Sequence, residues 1–171
     1  MAKSASPDFA RVLNHLRDAN HTFPAKDLYH FSDLNKSDLA ALEAAWRDVP
    51  VERRRNVIAD LSEIGEANLE VAFESVFRMA LEDEDSEVRA TSIRALWEAE
   101  DPNLIAPFLD LLAHDPDSNV RAAAASALGR FVYLGEVEEI PAAQTRRVED
   151  ALLGVISGPD EPEVRRRALE A

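Results

Sequence analysis

The chain has 171 residues, 46% of them apolar, with 33 acidic against 19 basic residues, a formal charge of −14 and no cysteine. Apolar content of that order in a chain of this length excludes disorder and suits one domain or one continuous array, while the missing cysteines exclude disulfides, thiolate zinc sites and cysteine nucleophiles. The charge repels a phosphate backbone and sets nonspecific nucleic-acid binding aside, and no run approaches the ~18 uninterrupted apolar residues of a membrane span, so a cytoplasmic protein with no membrane partner is expected.

In chain order, Ser6 and Pro7 open a helix whose Phe9, Val12, Leu13 and Leu16 form one apolar stripe, and "AKDLYHFSDL" from Ala25 adds a shorter element. These residues, 1–36, share no pattern with the rest of the chain and are expected to form an irregular helical cap. Pairs of helical segments come next. "SDLAALEAAW" from Ser37 precedes "VPVERRRNVIADL"; "NLEVAFESVFRMAL" from Asn68 precedes "DEDSEVRATSIRALWE"; "DPNLIAPFLDLLAH" from Asp101 precedes "DPDSNVRAAAASALGR"; and "QTRRVEDALLGVIS" from Gln144 precedes "PEVRRRALEA". Ser37, and Asp101 with Pro102 behind it, read as N-caps. Asn-Gly and Asp-Gly hairpin signals are absent, and Pro and Gly fall mainly between helical segments, so the fold is expected to be all-α. The helical hairpins are placed at 37–66, 67–100, 101–134 and 141–171.

The second helices repeat a phrase. Aligned on Val-Arg, Val88 is followed at +4, +5, +7 and +8 by Ser92, Ile93, Ala95 and Leu96, and Val120 by Ala124, Ala125, Ala127 and Leu128. These offsets trace one helix face whose small residues let neighbouring helices approach. The same template fits Val164-Arg165 with Ala168, Leu169 and Ala171, and Arg53-Arg54 with Val57, Ile58 and Leu61. The aligned arginines Arg54, Arg89, Arg121 and Arg165 are spaced by 35, 32 and 44 positions. Asp48, Asp83 and Asp115 stand six positions before the first three, whereas the fourth copy has Pro159 there and Asp160 one place late.

The pattern D-x-D-S-x-V-R-x-x-(A/S)-x-x-A-L, preceded by an apolar helix and repeated, resembles HEAT repeats, especially the short bacterial HEAT-like repeats of phycobilisome lyases. The likeness spans Ser37 to Ala171. It implies a right-handed α-solenoid of stacked helical hairpins, and a structural ladder at the inter-repeat turns made of Asp48, Asp83, Asp115, Arg54, Arg89, Arg121 and Arg165. Elementary physics agrees with such a ladder. A repeat buries its apolar face only by stacking on neighbours, and an arginine that begins each second helix can reach a carboxylate or free carbonyl at the adjacent turn. The arginine bias, with only three lysines among the bases, is compatible with a GC-rich bacterial genome or a warm habitat.

Two departures stand out. The surplus length before the fourth copy falls at 131–144 and reads either as a longer solvated turn carrying Glu136, Glu138 and Glu139 or as a binding edge. The fourth copy stops at Ala171, before the leucine expected at +8, so it reads as cut short, with continuation of the array or self-association at that end.

Catalytic signals are weak. His15, His21 and His30 are not spaced as i, i+4 ligands, so no metal site and no cofactor are expected. The paired His-Glu dipeptides of di-iron hydroxylases built on HEAT-like repeats are missing, the charge opposes the basic groove of HEAT-like DNA glycosylases, and no glycine-rich phosphate loop or ordered triad is present. The "RRR" triplets at Arg53 and Arg165 spread over roughly 200° of helix, so neither can place all its arginines on one ligand. In the family the second helices line a concave wall, where the template positions that point away from the buried stripe hold Arg55, Arg94, Trp97, Glu98, Arg130 and Tyr133. Trp, Tyr and Arg are common interface anchors; the other reading of Trp97 packs it against the following helix as core. The expected function is a noncatalytic protein-interaction or scaffold module that binds another protein through these residues. The alternative is an accessory lyase or bilin-handling enzyme of the HEAT-like kind.

Overall fold

A computed structural model describes residues 5–171. Every regular element among the described residues is helical: α1 (Pro7–Arg17), α2 (Ala25–Leu28), α3 (Lys36–Trp46), α4 (Val51–Ala67), α5 (Glu74–Ala80), α6 (Ser86–Ala95), α7 (Ile105–His114), α8 (Ser118–Glu136), α9 (Ala142–Ser157) and α10 (Pro162–Glu170). Short 3-10 turns cover Tyr29–Phe31 and Pro102–Leu104. The chain divides into two compact units, one ending at Ser92 and the other running Ile93–Ala171. The division falls inside α6, and the N-terminal helices belong to the same unit as α3, α4 and α5.

In the first unit, α1 buries Phe9, Val12, Leu13 and Leu16, the stripe legible in the sequence. Phe9 meets Phe31 edge-on with ring centres 5.7 Å apart. Pro7 opens α1, yet Ser6 does not cap it. The Ser6 amide and hydroxyl instead donate to the carboxylate of buried Asp38 at 2.7 and 3.0 Å, tying the start of α1 to the first turn of α3. The cap of α3 is Asn35, which accepts from the amides of Ser37 and Asp38. Ser37 therefore lies inside the helix, two residues past the cap, because Asn35 is a strong cap placed ahead of the start that the apolar run suggested.

The second unit is organised around α8, which packs against α7, α9 and α10. Ala122, Ala123, Ala124, Ala125 and Ala127 are buried along it, and small side chains are what permit three helices to share one neighbour. The helix also corrects the sequence reading at 131–144. It runs on to Glu136, with Phe131 and Leu134 carrying its buried stripe through a further turn, so only 137–141 remain as connection. A Cβ on Gly135 would overlap the Thr145 side chain, so at this point α8 presents bare backbone to a side chain of α9.

One expected core position behaves differently. Ile58, Ile93 and Ala125, at +5 in the first three copies, are fully buried, whereas Leu169 at the same position is 73% exposed. Among the described residues nothing covers it as the earlier copies are covered.

Candidate functional site

The repeated phrase is a turn that closes on itself. Asp83 Oδ1 accepts from the Asp85 amide at 2.8 Å, Asp85 Oδ1 accepts from the Val88 amide at 3.2 Å, and the Arg89 guanidinium reaches back to the Asp83 carbonyl at 2.7 Å. The next copy repeats every step. Asp115 Oδ1 accepts from the Asp117 amide at 2.9 Å, Asp117 caps α8 through the amides of Asn119 and Val120, and Arg121 donates to the Asp115 carbonyl at 2.9 Å. The first aspartate shapes the turn, the second caps the helix, and the arginine satisfies a carbonyl that would otherwise be stranded.

The outer copies depart from this scheme. Where a second aspartate would stand, the first copy has Pro50, and α4 starts without a side-chain cap. Asp48 is 71% exposed and lies only 3.8 Å from Arg17 Nε, so the structure does not bring it to Arg54. Arg165 is exposed. The arginines make a second set of contacts forward along the chain. In the first unit, buried Arg54 places Nε 3.3 Å from Asp83 Oδ2, an ion pair without hydrogen-bond geometry, and donates to Glu84 at 2.7 Å. Trp46 Nε1 donates to the same Asp83 carboxylate at 2.5 Å. In the second unit, Arg121 holds Asp160 through both Nε and an NH2 group. Asp160, one place off the aspartate column, thus fills the role the alignment left vacant, because a guanidinium is long and forked enough to absorb a one-residue shift.

These pairs set the titration of their acids. The hydrogen bond from Arg121 holds the Asp160 carboxyl below the usual range, and that from Arg55 does the same for Asp85, in each case against an opposing push from burial. At Asp27 burial pushes upward most strongly, yet hydrogen bonds from His15 (2.6 Å) and Arg11 (3.2 Å) outweigh it and lower its pKa. The remaining histidines are placed individually: His21 on Asp18, His114 on Asp110, and His30 exposed. Among the described residues no three His, Asp or Glu side chains come together as a metal site.

Of the six residues expected on a partner-binding face, the structure brings four together. Ile93, Arg94 and Trp97, at the end of α6 and the turn after it, face Ala123, Ser126, Ala127 and Arg130 of α8 across a groove of about 390 Å³. Its floor is apolar and both of its charged lining residues are arginines. The Arg130 guanidinium lies 5.4 Å above the Tyr133 ring and is held by the Glu100 carboxylate, while its buried Nε has no acceptor. Trp97 is 59% exposed and Tyr133 53% exposed, so Trp97 is a surface residue and the reading of it as core is corrected. Its register explains this: at +9 it falls outside the stripe formed by Ile93 and Leu96. Glu98 is exposed beside it. Arg55 belongs to the first unit, where it forms a two-point bond with Asp85 at 2.9 and 2.6 Å. The triplet that contains it diverges as its helical arc requires, since Arg53 bonds the carbonyls of His15 and His21 while Arg54 and Arg55 take different carboxylates.

Trp46 and Glu100 were not singled out in the sequence, and Asp85 and Asp160, though visible in the repeated pattern and beside the aspartate column, had no role assigned. The column of second aspartates two places after the first marks Asp85 as a cap, but no spacing rule marks Trp46 or Glu100.

Consecutive helical hairpins, with the same aspartate-arginine turn before α6 and α8, define among the described residues an all-helical tandem-repeat protein. The family model for HEAT repeats matches residues 74–171, and the chain belongs to that family. No curated protein and no solved structure matches the chain. HEAT repeats generally mediate protein-protein interaction. No helix of the described residues is long and apolar enough to cross a membrane.

Proposed function

We propose that the chain is a noncatalytic binding module that docks another protein on the groove between the end of α6 and α8. The carrying observation is the exposure of Trp97 on a groove with an apolar floor whose charged lining residues are Arg94 and Arg130, with exposed Tyr133 stacked on Arg130. Large aromatic and arginine side chains grouped at a concavity are the composition of interaction hot spots. Three paired carboxylates support a noncatalytic reading. Asp27, Asp85 and Asp160 each spend their carboxylate on a neighbouring arginine or histidine, the pattern of structural ion pairs.

The test compares the wild-type chain with the double variant Arg94→Ala, Trp97→Ala in affinity purification from the source cells, followed by titration of the purified retained protein. The expected result is loss of that protein by the variant with an unchanged helical circular-dichroism spectrum. Equal retention by both chains overturns the assignment.

A further inference from the structure

We infer that the groove beside Trp97 takes an acidic segment of a partner protein, with an aliphatic side chain seated on Ile93, Ala123 and Ala127 and a neighbouring carboxylate on Arg130 in exchange for Glu100. The inference rests on the docking reading above and adds the chemistry of the partner. Its first support is local charge. In a chain of net charge −14, the only charged ones among the described residues lining the groove are Arg94 and Arg130, with Glu98 and Glu100 confined to its edge. An acidic partner would be repelled by most of this surface and accepted here, which confers specificity of placement.

Its second support is Glu100. That carboxylate comes from the connection after α6 and already sits on the Arg130 guanidinium at the edge of the groove. Glu100 is 53% and Arg130 35% exposed, so the pair is open to exchange. An exposed pair of this kind contributes little to stability, and a competing carboxylate can displace it at small cost. Arg130 is meanwhile kept in place by the Tyr133 ring beneath it, with its Nε buried and its terminal NH2 on Glu100. A bidentate carboxylate needs a fork held in that manner. The floor supplies the other half of the recognition: Ile93, Ala123 and Ala127 are buried side chains with no polar group, walled on one side by the Trp97 indole.

The experiment uses the full chain and three synthetic peptides: a leucine flanked by glutamates, the same peptide with lysines for glutamates, and the same peptide with serine for leucine. Binding is read by calorimetry and by Trp97 emission, with buried Trp46 as the unchanging reference. The glutamate-leucine peptide is expected to bind at least tenfold more tightly than either control. Arg130→Gln is expected to weaken it at least tenfold, and Glu100→Gln to tighten it severalfold, opposite signs that a general loss of structure would not produce. Absence of binding by the glutamate-leucine peptide, parity with the lysine peptide, or weaker binding by Glu100→Gln overturns the inference. If partner capture still depends on Arg94 and Trp97 in that event, the chemistry assigned here has failed while the docking reading stands.

Discussion

Trp46 and Arg54 converge on one carboxylate, that of Asp83, whose side chain is 1% exposed against 2% for Arg54. Removing the Asp83 carboxylate leaves buried Arg54 with only the exposed Glu84 and Trp46 Nε1 without its acceptor, in a medium that solvates charge poorly. Asp83→Ala is therefore expected to cost about 3–5 kcal/mol, measured by urea unfolding with Trp46 emission as probe. A loss below about 1 kcal/mol would mean that the pair is solvated. The ion pairs also fix the acid limb of stability. Asp160 and Asp85 have folded pKa values below their unfolded ones, so each contributes stability that is complete above the unfolded pKa of about 3.9 and is lost as pH falls through the folded value. Asp60 acts in the opposite direction, since burial raises its pKa. Asp160→Asn is expected to lower stability near neutrality and to flatten its decline at acid pH; an unchanged acid slope in urea midpoints would contradict the role given to the Arg121 pair.

Among the elements, the α8–α9 contact depends on Gly135. A methyl group there would enter the space of Thr145, with 2.2 Å to Cγ2 and Oγ1 and 2.7 Å to Cβ. Gly135→Ala is expected to destabilise by about 1–3 kcal/mol despite alanine's better helix propensity, because the overlap outweighs that gain. Thermal unfolding of the full chain checks the sign, and stabilisation would show that the helices can slide apart freely. The same contact explains where the sequence was hard to read. The 3.6-residue periodicity of α1 and of the small-residue face of α8 was legible because each stripe is determined locally. The continuation of α8 through Phe131 and Leu134 was masked by Gly135 and the glutamates around it, which signal a turn until the facing Thr145 is known. Asp160 escaped the aspartate column for a related reason: what it must satisfy is distance to a guanidinium, which sequence spacing does not record.

At the scale of the whole molecule, the chain is a strongly acidic HEAT-repeat protein with a groove lined by Arg94, Arg130 and the exposed Trp97 ring. The candidate site was half legible. Template offsets pointed to Arg94, Trp97, Arg130 and Tyr133, which the fold gathers, and also to Arg55, which it engages with Asp85 instead. Offsets report which way a residue faces from its own helix, but an acidic loop arriving from the next copy decides whether it stays available. Glu100 was invisible for the same reason. The central claim is that the groove docks a protein, and the most direct measurement is the affinity of the purified partner for the wild-type chain and for Arg94→Ala, Trp97→Ala. The predicted result is a loss of at least tenfold, about 1.4 kcal/mol, with helicity unchanged; equal affinity for the two chains would contradict it.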